Sequence, residues 1–232
     1  MSTDMKERPV FSTDLCYFLG IVILAFGTAF MERADFGVSM VVAPAYLLHL
    51  KLSATLPFFT FGTAEYCLQG VLLLLIALCV GRFKRYYFFS FVTAVLYGFT
   101  LDGSMWLVAR FPDFGSMGWV LYYVVGMLMG ALGVSLFFHS YIAPEAYELF
   151  VKELSEKFGV DINRFKTGYD CASCLLSVVL SFAFFGLWHF EGVKLGTAIA
   201  AVCNGWIIGR ISAAMEKRFA FRDSWKLRKY FE

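Results

Sequence analysis

The stretch Gly70-Val-Leu-Leu-Leu-Leu-Ile-Ala-Leu-Cys-Val80 decides the class of this fold, because it contains no charged residue. It belongs to a longer apolar run, Phe58–Val80, that begins directly after Pro57, a residue tolerated at a helix start. A helix that crosses a membrane needs roughly 20 mostly apolar residues to cover about 30 Å of hydrocarbon. The run therefore predicts a transmembrane helix.

Five further runs of similar length and composition predict five more membrane spans. The residue composition supports this, since 59% of the 232 residues are apolar and 16% are charged, against about 25% charged in soluble domains. A soluble fold of this size would leave a large apolar surface in water. We predict an all-α polytopic integral membrane protein in a lipid bilayer, and not a soluble enzyme. The additional predicted spans are Leu15–Met31, Tyr86–Val108, Met117–Phe138, Phe165–Trp188 and Leu195–Ala214.

Two segments are too short or too polar to span. Asp35–Leu56 contains Pro44 and Lys51, and Ile142–Gly159 is amphipathic. In the second segment, apolar residues recur at i, i+3, i+4 spacing, and the pairs Glu148–Lys152 and Glu153–Lys157 are predicted on the opposite side. Each segment is predicted either to lie at the interface or to re-enter the protein as a half-helix.

The chain contains an internal repeat. A shift of 104 positions, the difference between 61 and 165, places Phe61, Thr63 and Cys67 on Phe165, Thr167 and Cys171. Each half has the order span, non-spanning segment, span, loop, span. Three spans per half are an odd number, so the second half must enter the membrane from the opposite side. We predict one transmembrane domain, residues 15–214, made of two inverted three-helix repeats, 15–108 and 117–214.

Basic residues predict the orientation of the chain. They cluster before the first span, between the second and third spans, and after the sixth. Cytoplasmic loops carry an excess of Lys and Arg, so both termini are predicted to be cytoplasmic: an N-terminal segment 1–14 and a basic tail 215–232. The net charge of +2 predicts no nucleic-acid partner, because such partners need a clustered basic face.

Short glycine-containing motifs resemble a known family. Phe26-Gly27, the run Ala34-Asp35-Phe36-Gly37-Val38-Ser39, Phe61-Gly62-Thr63-Ala64 and Gly81-Arg82 resemble the YczE/YyaS/YitT group of bacterial membrane proteins over residues 15 to 212. The resemblance implies several membrane helices, duplicated halves and a location in the bacterial inner membrane, and it supplies no substrate. The chain departs from the group after Ser39, where Met40-Val41-Val42 replaces a Pro-Trp-Asp-like run.

Two acidic residues, Glu65 and Asp170, lie well inside predicted spans, whereas Asp102 lies near a span end. Ionisable groups are costly in hydrocarbon and are functional candidates there. The repeat aligns Glu65 with Tyr169 and Tyr66 with Asp170, so we expect an acid and a tyrosine from each half beside a shared cavity, where they bind a substrate or ion. A structural role, with each acid near an interface or paired with a base such as Lys166, is the alternative.

Six more residues are weaker candidates. Gln69 and Asn204 lie inside spans and could contact a ligand or hydrogen-bond across helices. Asp102 and Arg210 lie near span ends and are predicted as gate or anchor charges. Arg33 and Asp35 precede the first non-spanning segment, where a half-helix start could attract an anion; an external ion pair is the alternative.

No catalytic, metal-binding or cofactor motif is present in the sequence. The six cysteines lie in apolar runs, so Cys171-x-x-Cys174 is interpreted as a packing feature. Inverted repeats with non-spanning helices are typical of secondary transporters. We therefore predict a transporter for a small solute or ion, without a cofactor. The alternative is a substrate-binding or regulatory subunit acting through a partner membrane protein, and the sequence leaves open a homo-oligomer.

Overall fold

The computed structural model describes residues 8–112, 115–160, 162–188 and 190–223. These residues form eight α-helices and two three-residue strands, and six helices are long and apolar enough to cross a membrane. The predicted all-α membrane class is confirmed. In chain order the elements are β1 Val10–Ser12, α1 Thr13–Arg33, α2 Ala43–Leu52, α3 Phe61–Val80, α4 Arg85–Val108, α5 Gly115–Phe138, α6 Ala146–Phe158, α7 Ile162–Phe185, α8 Leu195–Arg218 and β2 Ala220–Arg222.

Local sequence explains where the spans begin and end. Thr60 caps α3 by accepting a hydrogen bond from the Thr63 backbone nitrogen, which starts this helix three residues later than the predicted Phe58. Gly81 ends it with φ of 79°, a conformation that glycine adopts without strain. Helix α7 stops at Phe185, short of the predicted Trp188, because Gly186 also adopts a positive φ of 103°.

Helices α1 and α5 form the centre of the bundle, and they meet through glycines. A Cβ on Gly27 would lie 2.8 Å from the carbonyl oxygen of Gly126, and a Cβ on Gly20 would lie 3.2 Å from that of Gly133. Because glycine has no side chain, the two helix backbones approach each other closely at these positions. In the most apolar stretch of α1, 56% of the residues are buried, against 6% in that of α8. Helix α8 is therefore the most peripheral of the six spans.

The remaining long helices are arranged around this central pair. Helix α4 packs on α1, and α8 packs on α5. Helix α3 packs along α4, whereas α7 is not packed along α8 in the residues described. The two halves therefore share most helix neighbours. They differ here and at α6, which packs on α4, whereas its counterpart α2 is not packed on α8 in the residues described.

The two short helices enter the bundle. Helix α6 begins beside the middle of α3, where the Ala146 amide donates to Gln69, and ends near its last turn, where Lys157 donates to the Cys79 carbonyl. It packs against α3, α4 and α7. Helix α2 packs similarly on α3 and α7. Both predicted non-spanning segments are thus re-entrant within the bundle.

One charged pair expected on α6 is replaced by contacts with other elements. Glu153 binds Lys84, with 2.6 Å between the Lys84 Nζ and the Glu153 carboxylate oxygens, and it also accepts a hydrogen bond from Tyr87. The predicted solvent-facing side of α6 is consequently covered in part by the start of α4. Helix periodicity could not show this, because it contains no information on neighbouring elements.

The start of α1 and the end of α8 lie together. Strands β1 and β2 pair in parallel, with Val10 opposite Ala220. Near the same end, the Tyr17 hydroxyl lies 2.8 Å from that of Thr93, two turns into α4. The beginning of α1, the beginning of α4 and the end of α8 therefore share one end of the bundle, as the distribution of basic residues predicts. Residues 224–232, most of the predicted basic tail, lie outside the described residues.

Candidate functional site

A cavity of about 410 Å³ lies beside the central helix pair. Its walls come from α1 and α5, from the chain just before α2, from the first turn of α6, and from α7 and α8. It lies where α7 and α8 are separated. The apolar part of the wall includes Leu24, Met127, Val134 and Phe137, and the polar part includes Thr28, Tyr97, Glu145, Tyr147, Glu148, Lys166, Asp170 and Asn204.

A buried polar cluster joins α3 to the start of α6. The Tyr147 hydroxyl donates to Oε2 of Glu65 across 2.8 Å. Gln69 Nε2 lies 3.4 Å from the same oxygen and 3.2 Å from Oε2 of Glu145, so its amide bridges the two carboxyl groups. Gln69 Oε1 accepts from the Ala146 amide at 3.0 Å. The three members Glu65, Gln69 and Glu145 are at most 4% exposed.

Helix geometry explains why these side chains meet. Glu65 and Gln69 are four residues apart on α3, and this spacing places both on one helix face. Glu145 is the residue before the first turn of α6, and its own side chain makes no capping bond. The orphan amide at that helix start is instead satisfied by Gln69, because helix starts leave amides without intrahelical partners.

Of the buried side-chain atoms without a hydrogen-bond partner among the described residues, one is Nε2 of His139, outside the cavity wall, and three are oxygens at or beside the cavity. The three oxygens are Oε1 of Glu65, Oε1 of Glu145 and Oδ1 of Asn204. Leaving a buried polar atom unpaired costs about 1–3 kcal/mol, and native structures contain few such atoms. Glu145 and Asn204 line the cavity and Glu65 adjoins it through Tyr147. The cluster is therefore suited to a ligand that supplies hydrogen-bond donors.

Burial raises the pKa of the two carboxyl groups at the start of α6. Burial raises the pKa of Glu145 well above its ordinary value, and the neighbouring carboxyls of Glu148 and Glu65 raise it further. Burial also raises the pKa of Glu148, while the Lys166 ammonium acts in the opposite direction. Burial raises both pKa values because a charge is costly in a low-dielectric interior, whereas a nearby positive charge stabilises the ionised carboxylate.

Asp170 lies outside the hydrogen-bonded cluster around Glu65, and the expectation that the two acids face each other across the cavity stays a prediction. Asp170 lines the cavity and is paired with Lys166, whose Nζ lies 3.1 Å from its Oδ1, which corresponds to the structural alternative considered above. Tyr169 packs on Phe150, with ring centroids 5.4 Å apart. Tyr66 packs near Phe99 and its hydroxyl donates to Thr63, on the side of α3 that faces α4.

Four other predicted residues lie outside the cavity wall. Arg33 donates to the Phe111 carbonyl at 2.8 Å, so it is not at the start of α2. Asp35 is exposed and pairs with Lys194 at 2.5 Å. Asp102 accepts hydrogen bonds from the Thr60 hydroxyl and the Gly62 amide, an anchoring contact at the start of α3.

Arg210 is exposed and its guanidinium lies 5.6 Å from the ring centroid of Trp206 on the same helix. Of the ten predicted residues, the structure brings Glu65 and Gln69 into the buried cluster and places Asp170 and Asn204 on the cavity wall. The roles predicted for all ten stay predictions.

Sequence reasoning missed Glu145 and Tyr147 as members of the cluster around Glu65, and Glu148 as part of the cavity wall. A signal was present: Glu145 directly follows Pro144 at the start of a segment predicted to re-enter. An acid at that position is a candidate by the same argument that selects Glu65, because it starts a helix at membrane depth.

Comparison with known proteins identifies a family and no characterised relative. No curated protein and no solved structure matches the chain. The resemblance to the YczE/YyaS/YitT group stays a prediction from short motifs. The profile of one family matches residues 12–213, which covers five predicted spans, all but the last residue of the sixth, and both short helices. The chain belongs to this family, described as a family of unknown function (DUF6198).

Proposed function

We propose that this multi-pass membrane protein is a secondary transporter that moves a small solute or ion by alternating access. The observation that carries the proposal is the buried cluster of Glu65, Gln69 and Glu145, with unpaired carboxyl oxygens, at the start of a re-entrant helix beside a cavity. Re-entrant helix starts at mid-depth form the substrate sites of many transporters. If these side chains had only a structural role, apolar side chains in their place would make the protein more stable.

Matching contacts in the two halves support an inverted repeat. The Thr93 hydroxyl donates to the Ala143 carbonyl at 3.0 Å, and the Thr197 hydroxyl donates to the Val38 carbonyl at 2.8 Å. Thr93 and Thr197 differ by 104 positions, the same shift that aligns the spans. In both halves a threonine on the last span thus holds the chain that leads into the re-entrant helix.

The C-terminal ends of α2 and α6 also make matching contacts. Lys157 at the end of α6 donates to the Cys79 carbonyl in the last turns of α3, and Lys51 at the end of α2 donates to the Phe184 carbonyl in the last turn of α7. The central glycines add a third correspondence, because the contact of Gly27 with Gly126 repeats that of Gly20 with Gly133 in exchanged order. Such reciprocity is expected for a two-fold relation.

The larger difference between the halves suggests how access alternates. Helix α3 packs along α4, whereas α7 and α8 are apart and the cavity lies between them. If the halves are inverted copies, exchanging the two arrangements would close α7 on α8 and separate α3 from α4. Two states of similar energy, each opening the site to a different side, are the requirement for alternating access. We place the protein in the bacterial inner membrane with both termini in the cytoplasm.

The test combines ligand discovery with flux. A thermal-shift screen of the detergent-solubilised protein against metabolites identifies a ligand, because a ligand that prefers the folded state raises its melting temperature. Uptake of that ligand is then measured in proteoliposomes for wild type and for Glu65→Gln. We expect at least about tenfold lower uptake by the variant, since a hydrogen bond to a charged group is lost.

The matched control is Glu156→Gln, which changes an exposed carboxyl near the end of α6, away from the cluster, and is expected to retain wild-type uptake. Equal uptake by Glu65→Gln and wild type would remove the cluster from the mechanism. Tight ligand binding without uptake would instead favour the alternative, a binding subunit that acts through a partner protein.

A further inference from the structure

The cavity wall carries more acids than bases. Among the described residues that line it, Glu145, Glu148 and Asp170 are acidic and Lys166 is basic. Lys166 is already paired with Asp170. Neither unpaired carboxyl oxygen of the buried cluster has a basic partner. The local charge balance therefore favours a cationic ligand, because two carboxylates without a counter-ion cannot both ionise cheaply in a buried site.

The identity of the unpaired atoms narrows the ligand further. The three at or beside the cavity are oxygens of carboxyl or amide groups, which accept hydrogen bonds from N–H donors. Much of the remaining wall is apolar and includes Phe137 and Met127, which suits a hydrocarbon body rather than a bare ion. No group of three or more His, Cys, Asp or Glu among the described residues is arranged to hold a metal.

An anion would meet a less suitable wall. The start of α6 carries the positive end of a helix dipole, which alone would favour negative charge. That end is already next to the carboxyls of Glu145 and Glu148, and its first free amide is bonded to Gln69. The nearest guanidinium predicted for an anion site, Arg33, is bound to Phe111 instead.

We propose, building on the transport function above, that the substrate is a small organic cation with an N–H-bearing ammonium or guanidinium group, and that it exchanges with a proton. In the cation-free state the Glu65/Glu145 pair holds a proton. When the cation binds, that proton leaves to water and the carboxylate becomes the counter-ion, so the net charge of the site is unchanged. The other titratable and charged groups that face this pair are Tyr17 on α1, Tyr97 on α4, Tyr147 and Glu148 on α6, and Lys166, Tyr169 and Asp170 on α7.

The experiment measures binding to the purified full chain in detergent, without any flux. Butylammonium chloride is compared with tetramethylammonium chloride, which has charge and no N–H donor, and with sodium butyrate, which has the opposite charge. Isothermal titration in two buffers of different ionisation enthalpy counts the protons released. We expect butylammonium to bind with release of up to one proton per site and to raise the melting temperature.

Variants test the assigned residues. Glu65→Gln and Glu145→Gln are expected to weaken butylammonium binding at least about tenfold and to abolish proton release, whereas Glu156→Gln keeps both. Equal binding of tetramethylammonium, preferential binding of butyrate, or the absence of butylammonium binding to wild type would each overturn the inference. The wild-type ligand series decides the matter even if a variant fails to fold.

The failure of this inference is distinguishable from the failure of the transport proposal. Uptake of an anionic or neutral solute by proteoliposomes, with no cation binding in detergent, would overturn the cation assignment and leave transport standing. Cation binding with proton release, but without uptake, would leave the site assignment standing and remove transport.

Discussion

The hydroxyl of Tyr147 donates a hydrogen bond of 2.8 Å to the carboxyl of Glu65, and this bond connects a re-entrant helix to a membrane-spanning one. Both residues are buried, at 2% and 0% exposure. The two lie 82 positions apart in the chain. The contact fixes the position of the first turn of α6 and thereby one wall of the cavity.

Removing the Tyr147 hydroxyl should destabilise the protein. Tyr147→Phe leaves Oε2 of Glu65 with only the longer bond from Gln69, so we expect a loss of about 1–3 kcal/mol in unfolding free energy. Thermal unfolding in detergent, followed by circular dichroism, measures it. Tyr66→Phe is the control, because its hydroxyl contact with Thr63 is long, at 3.4 Å, and only partly buried. A melting temperature equal to that of the control would contradict the predicted role.

The glycine contact between α1 and α5 should not tolerate a side chain. In Gly27→Ala the new Cβ would lie 2.6 Å from the Gly130 amide nitrogen and 2.8 Å from the Gly126 carbonyl oxygen. These are backbone atoms, so the helices must separate, and overpacking of this kind costs about 1–3 kcal/mol. Gly103→Ala, which meets nothing within 4 Å, should be neutral or stabilising by up to about 1 kcal/mol. Melting temperatures of both variants provide the comparison.

The raised pKa of Glu145 predicts a pH-dependent stability. Between its unfolded pKa, near the ordinary 4.5, and its higher folded pKa, the folded state binds more protons than the unfolded state. Stability should therefore fall as pH rises through this window. Glu145→Gln removes the contribution, so its melting temperature should decline less between about pH 5 and pH 8. Parallel melting curves for wild type and variant across this range would contradict the assignment.

One end of the bundle is predicted to face the cytoplasm. We expect an impermeant maleimide to label Arg110→Cys in intact cells, and to label Arg82→Cys and Arg222→Cys only after permeabilisation. The measurement is made in a chain freed of its six native cysteines. Labelling of Arg82→Cys and Arg222→Cys from opposite sides would contradict both the shared end of α1, α4 and α8 and the predicted topology.

The sequence by itself determined the fold class, the six spans and the two segments that do not span. It could do so because lipid selects for apolar length, a property of consecutive residues that needs no knowledge of neighbours. The same argument singled out Glu65, since an acid in an apolar run is costly wherever the run packs. The repeat likewise became visible as a constant offset between matching residues.

Only the tertiary structure decided what Glu65 contacts. The repeat drew attention to an acid and a tyrosine on α7. The hydrogen bonds of Glu65 come from Gln69 on α3 and Tyr147 on α6, and the Gln69 side-chain amide also bonds Glu145. The periodicity of α6 indicated an apolar face, but it could not show that α3, α4 and α7 surround this helix. Hydrogen bonds between residues some 80 positions apart depend on how helices pack, and packing is decided by neighbours that no local pattern encodes.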